Sequence, residues 1–221
     1  GMKKLLFHLI VEHGYRRPAY ITGTHDISDF RERCRDFISV CHGYGIHDAQ
    51  TNIFSGSFSF EHGRKAIQEM MAMNIRRYDV IVAANDQIAA GALLELRNHD
   101  ISVPGDIALT GFDDTQSALY ADPPITTVRQ PLPDIGTRAV DYIICALEGR
   151  SIPGATVLEP SLVIRRSCGC TDEESSRGDS DTGKEGMPSI SYRKQDVVEY
   201  DDTDVENIIT FMGNRYAEPE L

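Results

Sequence analysis

Two short apolar runs constrain this chain more than any other feature: Asp79 to Ala84 (DVIVAA) and Ile107 to Thr110 (IALT). Each ends abruptly in polar residues, Asn85-Asp86-Gln87 after the first and Gly111-Phe112-Asp113-Asp114 after the second. A β-branched run of this length, bounded by polar and glycine positions and separated from the next by a helix-patterned stretch, predicts buried parallel strands joined by a crossover helix. In open sheets of that kind, small molecules sit outside the carboxyl ends of the strands. Asn85 and Asp113 therefore stand where a ligand would be.

The segments around these runs repeat the pattern. Lys3 to His13 sets Leu5, Leu6, Leu9 and Ile10 on one helical side, and Gly14 is a natural stop. Ala19 to Gly23 reads as a first strand, and Asp26 or Ser28 can cap a helix from 29 to 44 with Phe30, Cys34, Phe37, Ile38 and Cys41 as its stripe. A second strand near Asn52 to Phe54 precedes a helix from Glu61 to Arg76 that buries Ala66, Ile67, Met70 and Met71. The helix leaving the third strand spans Asp86 to Asn98, and Val103-Pro104-Gly105-Asp106 is a turn leading into the fourth strand. Strand and helix alternating in this way predict an α/β fold with a doubly wound parallel sheet.

Beyond Asp113 the alternation stops. Thr126 to Arg129 is a short extended piece, Pro131 to Glu148 is a helix with Ile135, Ala139, Val140, Ile143 and Leu147 inward, and Glu159 to Arg166 is extended again.

Three stretches also match a known family in order and spacing: VAANDQIAAGAL, VPGDIALTGFDDT and PPITTVRQPLPDIGTRAV. Together they resemble the effector-binding domain of LacI/GalR transcription regulators, over roughly residues 5 to 170. The resemblance implies a periplasmic-binding-protein-like fold of type I, represented here mainly by one lobe over residues 1–170. In that family the first extended piece crosses to a second lobe, the helix at 131–148 packs there, and the last piece returns. The DNA-reading helix-turn-helix and most of the other lobe are expected to be absent. The helix at 131–148 then needs cover for its apolar face, either from a second copy of the chain, as a homodimer, or by folding back on its own lobe.

Four side chains are candidates for ligand binding. Asp113 can accept hydrogen bonds from two hydroxyl groups, and Asn85 offers both a donor and an acceptor. Phe58 can stack on a flat apolar face, and Arg33 presents a planar fork of donors. This combination suits a polyhydroxylated ligand such as a sugar. The resemblance assigns the same positions. Arg33 stands three residues before a family Gly-aromatic pair, which here is Asp36-Phe37; Phe58 follows the turn glycine of the second strand; Asn85 belongs to ANDQ; and Asp113 is the first Asp of GFDD. Helix or turn capping is the competing role for Asn85 and Asp113, core packing for Phe58, and a solvated helix position for Arg33.

Charge and cysteine usage exclude other classes. The net charge of -12 is concentrated in residues 171–221, with 14 acidic against 5 basic residues, leaving 20 against 17 elsewhere. No stretch is basic enough to track a phosphate backbone, so direct nucleic-acid binding by this chain is not expected. Five scattered cysteines in 221 residues suggest reduced thiols in a cytoplasmic protein. Cys168-Gly169-Cys170 is the one tight pair, and without a neighbouring Cys or His pair no metal is expected there. The apolar run after Lys3-Lys4 is too short for a signal peptide and no membrane span follows. His42, His47 and His62 read as isolated surface residues. No nucleotide-binding glycine motif or nucleophile elbow is present, and neither a catalytic residue nor a cofactor is implied.

Residues 171–202 read as an acidic disordered linker. Residues 203–217 read as a short helix, with Thr203 and Glu206 spelling a capping box and Val205, Ile208, Ile209, Met212 and Tyr216 on one face. The Ser167 to Cys170 ending resembles sensor domains fused to signalling modules such as cyclases or kinases. The sequence therefore supports a sensor of a small-molecule effector, a sugar by the rim chemistry, acting in transcriptional or signalling control. Its alternatives are a non-binding dimerisation or interaction protein and the sensor part of a cyclase or kinase.

Overall fold

The computed structural model describes residues 1–24 and 28–171, so the linker and terminal helix expected beyond 171 lie outside the described residues. Four parallel strands form the sheet: β1 (Pro18–Thr22), β2 (Ile53–Ser55), β3 (Val80–Ala83) and β4 (Ala108–Thr110), in the order β2-β1-β3-β4. All three pairings are parallel, with Tyr20 facing Ile53 on one side and Val82 on the other. Every residue of β1, β3 and β4 is buried, as expected for strands covered on both faces.

The connections reverse direction at β1. Right-handed crossovers running opposite ways from that strand put α2 (Ser28–Gly43) on one face and α3 (Phe60–Ala72) and α4 (Asp86–Asn98) on the other. α1 (Met2–Phe7), extended by a π-helical turn over His8–Glu12, packs on α2. Leu5, Leu6, Leu9 and Ile10 are all buried there. Phe37 stacks on Tyr20 of β1 with ring centroids 4.9 Å apart, so the Asp36-Phe37 substitution of the family's Gly-aromatic pair leaves α2 seated on the sheet. Cys34 and Cys41 fill that interface, and burial pushes both thiols up to about 12.

α3 and α4 approach closely. A Cβ at Gly63 would lie 2.1 Å from the carbonyl oxygen of Ile88, and one at Gly91 would lie 1.8 Å from that of Phe60. Neither helix leaves room for a methyl group at the crossing. α3 ends four residues before the expected Arg76, because Asn74 adopts a left-handed conformation (φ 70°) that no α-helix continues through.

Past β4 the chain makes the short helix α5 (Gln116–Leu119), which carries no stripe in the sequence, then β5 (Thr127–Arg129), α6 (Leu132–Leu147) and β6 (Ser161–Val163). β5 and β6 pair antiparallel, and β5 joins the main sheet through a bridge between Thr110 and Thr126. None of the residues of α6 is buried, and Leu132, Val140, Ile143 and Leu147 are each more than half exposed. The fold-back alternative for this helix is thus overturned among the described residues: the β5–β6 stalk holds it clear of the lobe.

Candidate functional site

The rim at the carboxyl ends of β1 to β4 collects all four residues singled out in the sequence. Because connections leave β1 and β3 toward opposite faces, the switch point falls between those two strands, and it is in the crevice at such a point that doubly wound sheets hold ligands. Arg33 reaches the crevice from α2, Phe58 from the turn after β2, Asn85 from the end of β3 and Asp113 from the end of β4.

Arg33 is held on three sides. It donates to the carbonyl oxygen of Ala84 at 2.7 Å, its guanidinium lies 3.7 Å over the Phe112 ring and 5.0 Å over Phe30, and it stands 3.9 Å from Asp113 Oδ1. Stacking between aromatic faces fixes the plane of the fork. Asp113 adopts φ 107°, a strained conformation for a residue with a side chain, and its Oδ1 accepts from Gln130 Nε2 at 2.7 Å. Burial pushes the Asp113 carboxyl up from its ordinary range, while Gln130 and Arg33 act the other way.

Asn85 uses both ends of its amide within the protein. Its Oδ1 accepts from the Ile88 N–H at 2.8 Å, capping α4, and its Nδ2 donates to the Phe58 carbonyl oxygen at 3.3 Å. It ties the β2 and β3 loops together. Phe58 is half-buried, with its ring 4.0 Å from that of Phe30.

Two acidic residues beneath the rim were not singled out from sequence. Asp86 accepts from the Thr115 N–H at 2.6 Å and from the Thr127 hydroxyl at 2.7 Å. Burial raises its carboxyl to about 6 in spite of those bonds. Asp114 is salt-bridged to Arg129 at 2.6 Å and Arg165 at 2.5 Å. Burial alone would raise its carboxyl, but the two guanidinium groups hold it below the usual range. Both carboxylates lock the loop that carries Asp113.

A cleft of about 370 Å³ lies at the opposite end of the sheet, among Arg17, Met71, Tyr78, His99 and Asp106. It adjoins the starts of the strands rather than their carboxyl ends. The switch-point rule favours the rim.

Residues 7–168 match the model of the periplasmic binding protein-like domain. The chain belongs to that family. A curated relative, the transcriptional regulator GalR of Escherichia coli strain K12, is 31% identical over 168 residues, covering 76% of this chain and 49% of that protein. A LacI-family regulatory protein from Chloroflexus aggregans superposes with a TM-score of 0.71 at 28% identity, over 76% of this chain and 60% of that one. The complex of the regulator CelR with cellobiose superposes at 0.67 with 29% identity, over 75% and 49%. The chain spans about half the length of the curated relatives it matches. LacI/GalR regulators as both relatives and structural neighbours make this a LacI-family effector domain. No helix among the described residues is long and apolar enough to cross a membrane.

Other histidines of this LacI-family domain depart from expectation. His62 is buried, its Nε2 3.0 Å from the Thr22 carbonyl oxygen, because its helix begins directly over β1; burial lowers its pKa. His42 and His47 are not isolated either, their rings meeting edge to face at 4.5 Å. Contrary to what the sequence suggests, Cys168 and Cys170 do not stand without a neighbouring pair. The missing second pair is supplied from the other end of the chain, by His8 and His13. Burial resists ionisation of Cys168, yet hydrogen bonds from His13, His8 and Thr126 bring its thiol down to about 5.

Proposed function

We propose that this domain senses a small polyhydroxylated effector, a sugar or sugar-like metabolite, and reports its presence to a transcriptional or signalling partner. The observation that carries this reading is the pairing of Arg33 and Asp113 across the switch-point crevice, each held in place by protein contacts before any ligand arrives. A carboxylate and a guanidinium side by side give adjacent hydroxyl groups an acceptor and a donor. Asp113 Oδ2 and the outer guanidinium nitrogen are the contact atoms in this scheme. Phe58 supplies the apolar plate, and Asn85 positions the Phe58 loop. The cellobiose bound in the CelR complex supports a carbohydrate as the ligand class.

A second reading, an interaction unit, is favoured by the exposed apolar face of α6. In that reading α6 packs on a second copy of the chain, forming a homodimer whether or not the rim is occupied.

Thermal unfolding against a panel of monosaccharides, disaccharides and nucleosides tests the first reading. A ligand at about 100 times its dissociation constant adds roughly 2.7 kcal/mol of stability. One class should shift the midpoint, and Asp113→Ala should remove the shift. A shift that persists in Asp113→Ala takes the ligand away from the Arg33–Asp113 pair, and no shift at millimolar ligand moves the assignment to the interaction unit. Sedimentation of the chain with and without Ile143→Lys then tests that reading.

A further inference from the structure

His8, His13, Cys168 and Cys170 place four donor atoms within 4.8 Å of one another, at a point where the first helix meets the last described turn of the chain. His8 Nε2 is 3.2 Å from His13 Nε2 and 3.5 Å from Cys168 Sγ. Cys170 Sγ is 3.2 Å from His13 Nε2 and 3.6 Å from His8 Nε2. A tetrahedral ion bound at metal–nitrogen about 2.0–2.1 Å and metal–sulfur about 2.3 Å has edges of roughly 3.3 Å between nitrogens and roughly 3.6 Å between nitrogen and sulfur. These four separations are close to those edges, and the two others, from Cys168 Sγ to His13 and to Cys170, stay within 4.8 Å. All four residues are buried or half-buried, and neither cysteine is in a disulfide.

Local structure on both sides serves this convergence. In an α-helix, residues five apart point about 140° away from each other. Here His8 to Glu12 is a π-helical turn, and the His13 N–H donates to the His8 carbonyl oxygen at 3.1 Å, so the wider turn brings the two rings over one point. π-turns of this kind concentrate at functional positions. On the other side Gly169 takes φ 102°, a conformation that lets two cysteines separated by one residue face inward together. The outer contacts are those of a metal site as well. Glu12 Oε2 lies 2.5 Å from His8 Nδ1, Tyr15 stacks on the His13 ring and donates to the Cys168 carbonyl oxygen at 2.8 Å, and the Thr126 hydroxyl donates to Cys168 Sγ at 3.1 Å.

We infer that His8, His13, Cys168 and Cys170 form a tetrahedral zinc site that staples the amino-terminal helix to the turn after β6. Two thiolates with two imidazoles select zinc among the common divalent ions, and four protein ligands leave no open position for substrate. The site is structural. It lies apart from the rim and holds whether or not the rim binds an effector.

The test uses the full chain, free of any affinity tag and kept reduced. Metal analysis after dialysis should find one zinc per chain. Cobalt in its place should show the intense visible bands of a tetrahedral ion and thiolate charge-transfer absorption. Cys168→Ser with Cys170→Ser should abolish both, Cys145→Ser on α6 should change neither, and Glu12→Gln should weaken zinc roughly 10–100-fold in competition with a chelator. The inference is overturned if wild-type protein binds cobalt without thiolate absorption, or retains no more zinc than the double-serine variant. The cobalt spectrum of the wild type decides the matter even if the double variant fails to fold.

Discussion

α4 and α6 are both amphipathic helices joined to the same lobe, and they meet opposite fates. α4 buries Ile88, Ala89, Ala92, Leu93 and Leu96, whereas α6, the more apolar of the two, buries nothing among the described residues. The difference lies in their connections. α4 runs between two adjacent strands of one sheet, so its stripe must fall on that sheet. α6 hangs between β5 and β6, an antiparallel stalk that leaves the sheet at Thr126. Periodicity states that a face requires cover, and topology decides whether the same lobe supplies it.

Paired truncations break or sharpen this contrast most directly. Leu96→Ala should lower the unfolding free energy by about 3–4 kcal/mol, read from the urea midpoint, because a fully buried leucine leaves a cavity. The loop beneath the rim comes next. Asp86→Ala strands the Thr115 N–H and should cost about 2 kcal/mol. Asp86 also sets a pH dependence. Its folded value of about 6 exceeds the ordinary 3.8, so its preference for the proton adds stability that is full below the lower value and lost as pH rises through the upper one. Asp86→Asn should flatten the stability profile across that window, measured by urea titration at each pH. Asn85→Ala removes the α4 cap and should cost about 1 kcal/mol in the same assay. The smallest effect falls on α6. Leu147→Ala should change stability by less than about 0.5 kcal/mol, and a larger loss would mean that this helix is covered in solution.

Much of the lobe was legible because its signals are local. The helix from Asp86 to Asn98 lies where the Asn85 cap and the apolar stripe put it, and the parallel strands follow from apolar runs with abrupt polar ends. Arg33, Phe58, Asn85 and Asp113 gather at one rim because each follows a strand or opens the helix after it. The roles within that rim were less legible: nothing in ANDQ tells that the Asn85 amide is used twice inside the protein. α5 has four residues and no periodicity to read. Cys168 and Cys170 stand out as a pair, but their meeting with His8 and His13 is not legible, because it depends on a π-turn and on about 155 residues of intervening chain, neither of which leaves a mark on local spacing.

The glycine contacts between α3 and α4 have a mechanical consequence. With Gly63 against the Ile88 carbonyl and Gly91 against that of Phe60, backbone rests on backbone, with no side-chain layer between them to shear. The first turns of these helices follow Phe58 and Asn85, so one jaw of the crevice behaves as a single rigid beam. In the sensing scheme proposed above, any closure over the effector is then left to the groups that face this beam, Arg33 and Asp113, and the beam is the fixed reference against which such movement is measured.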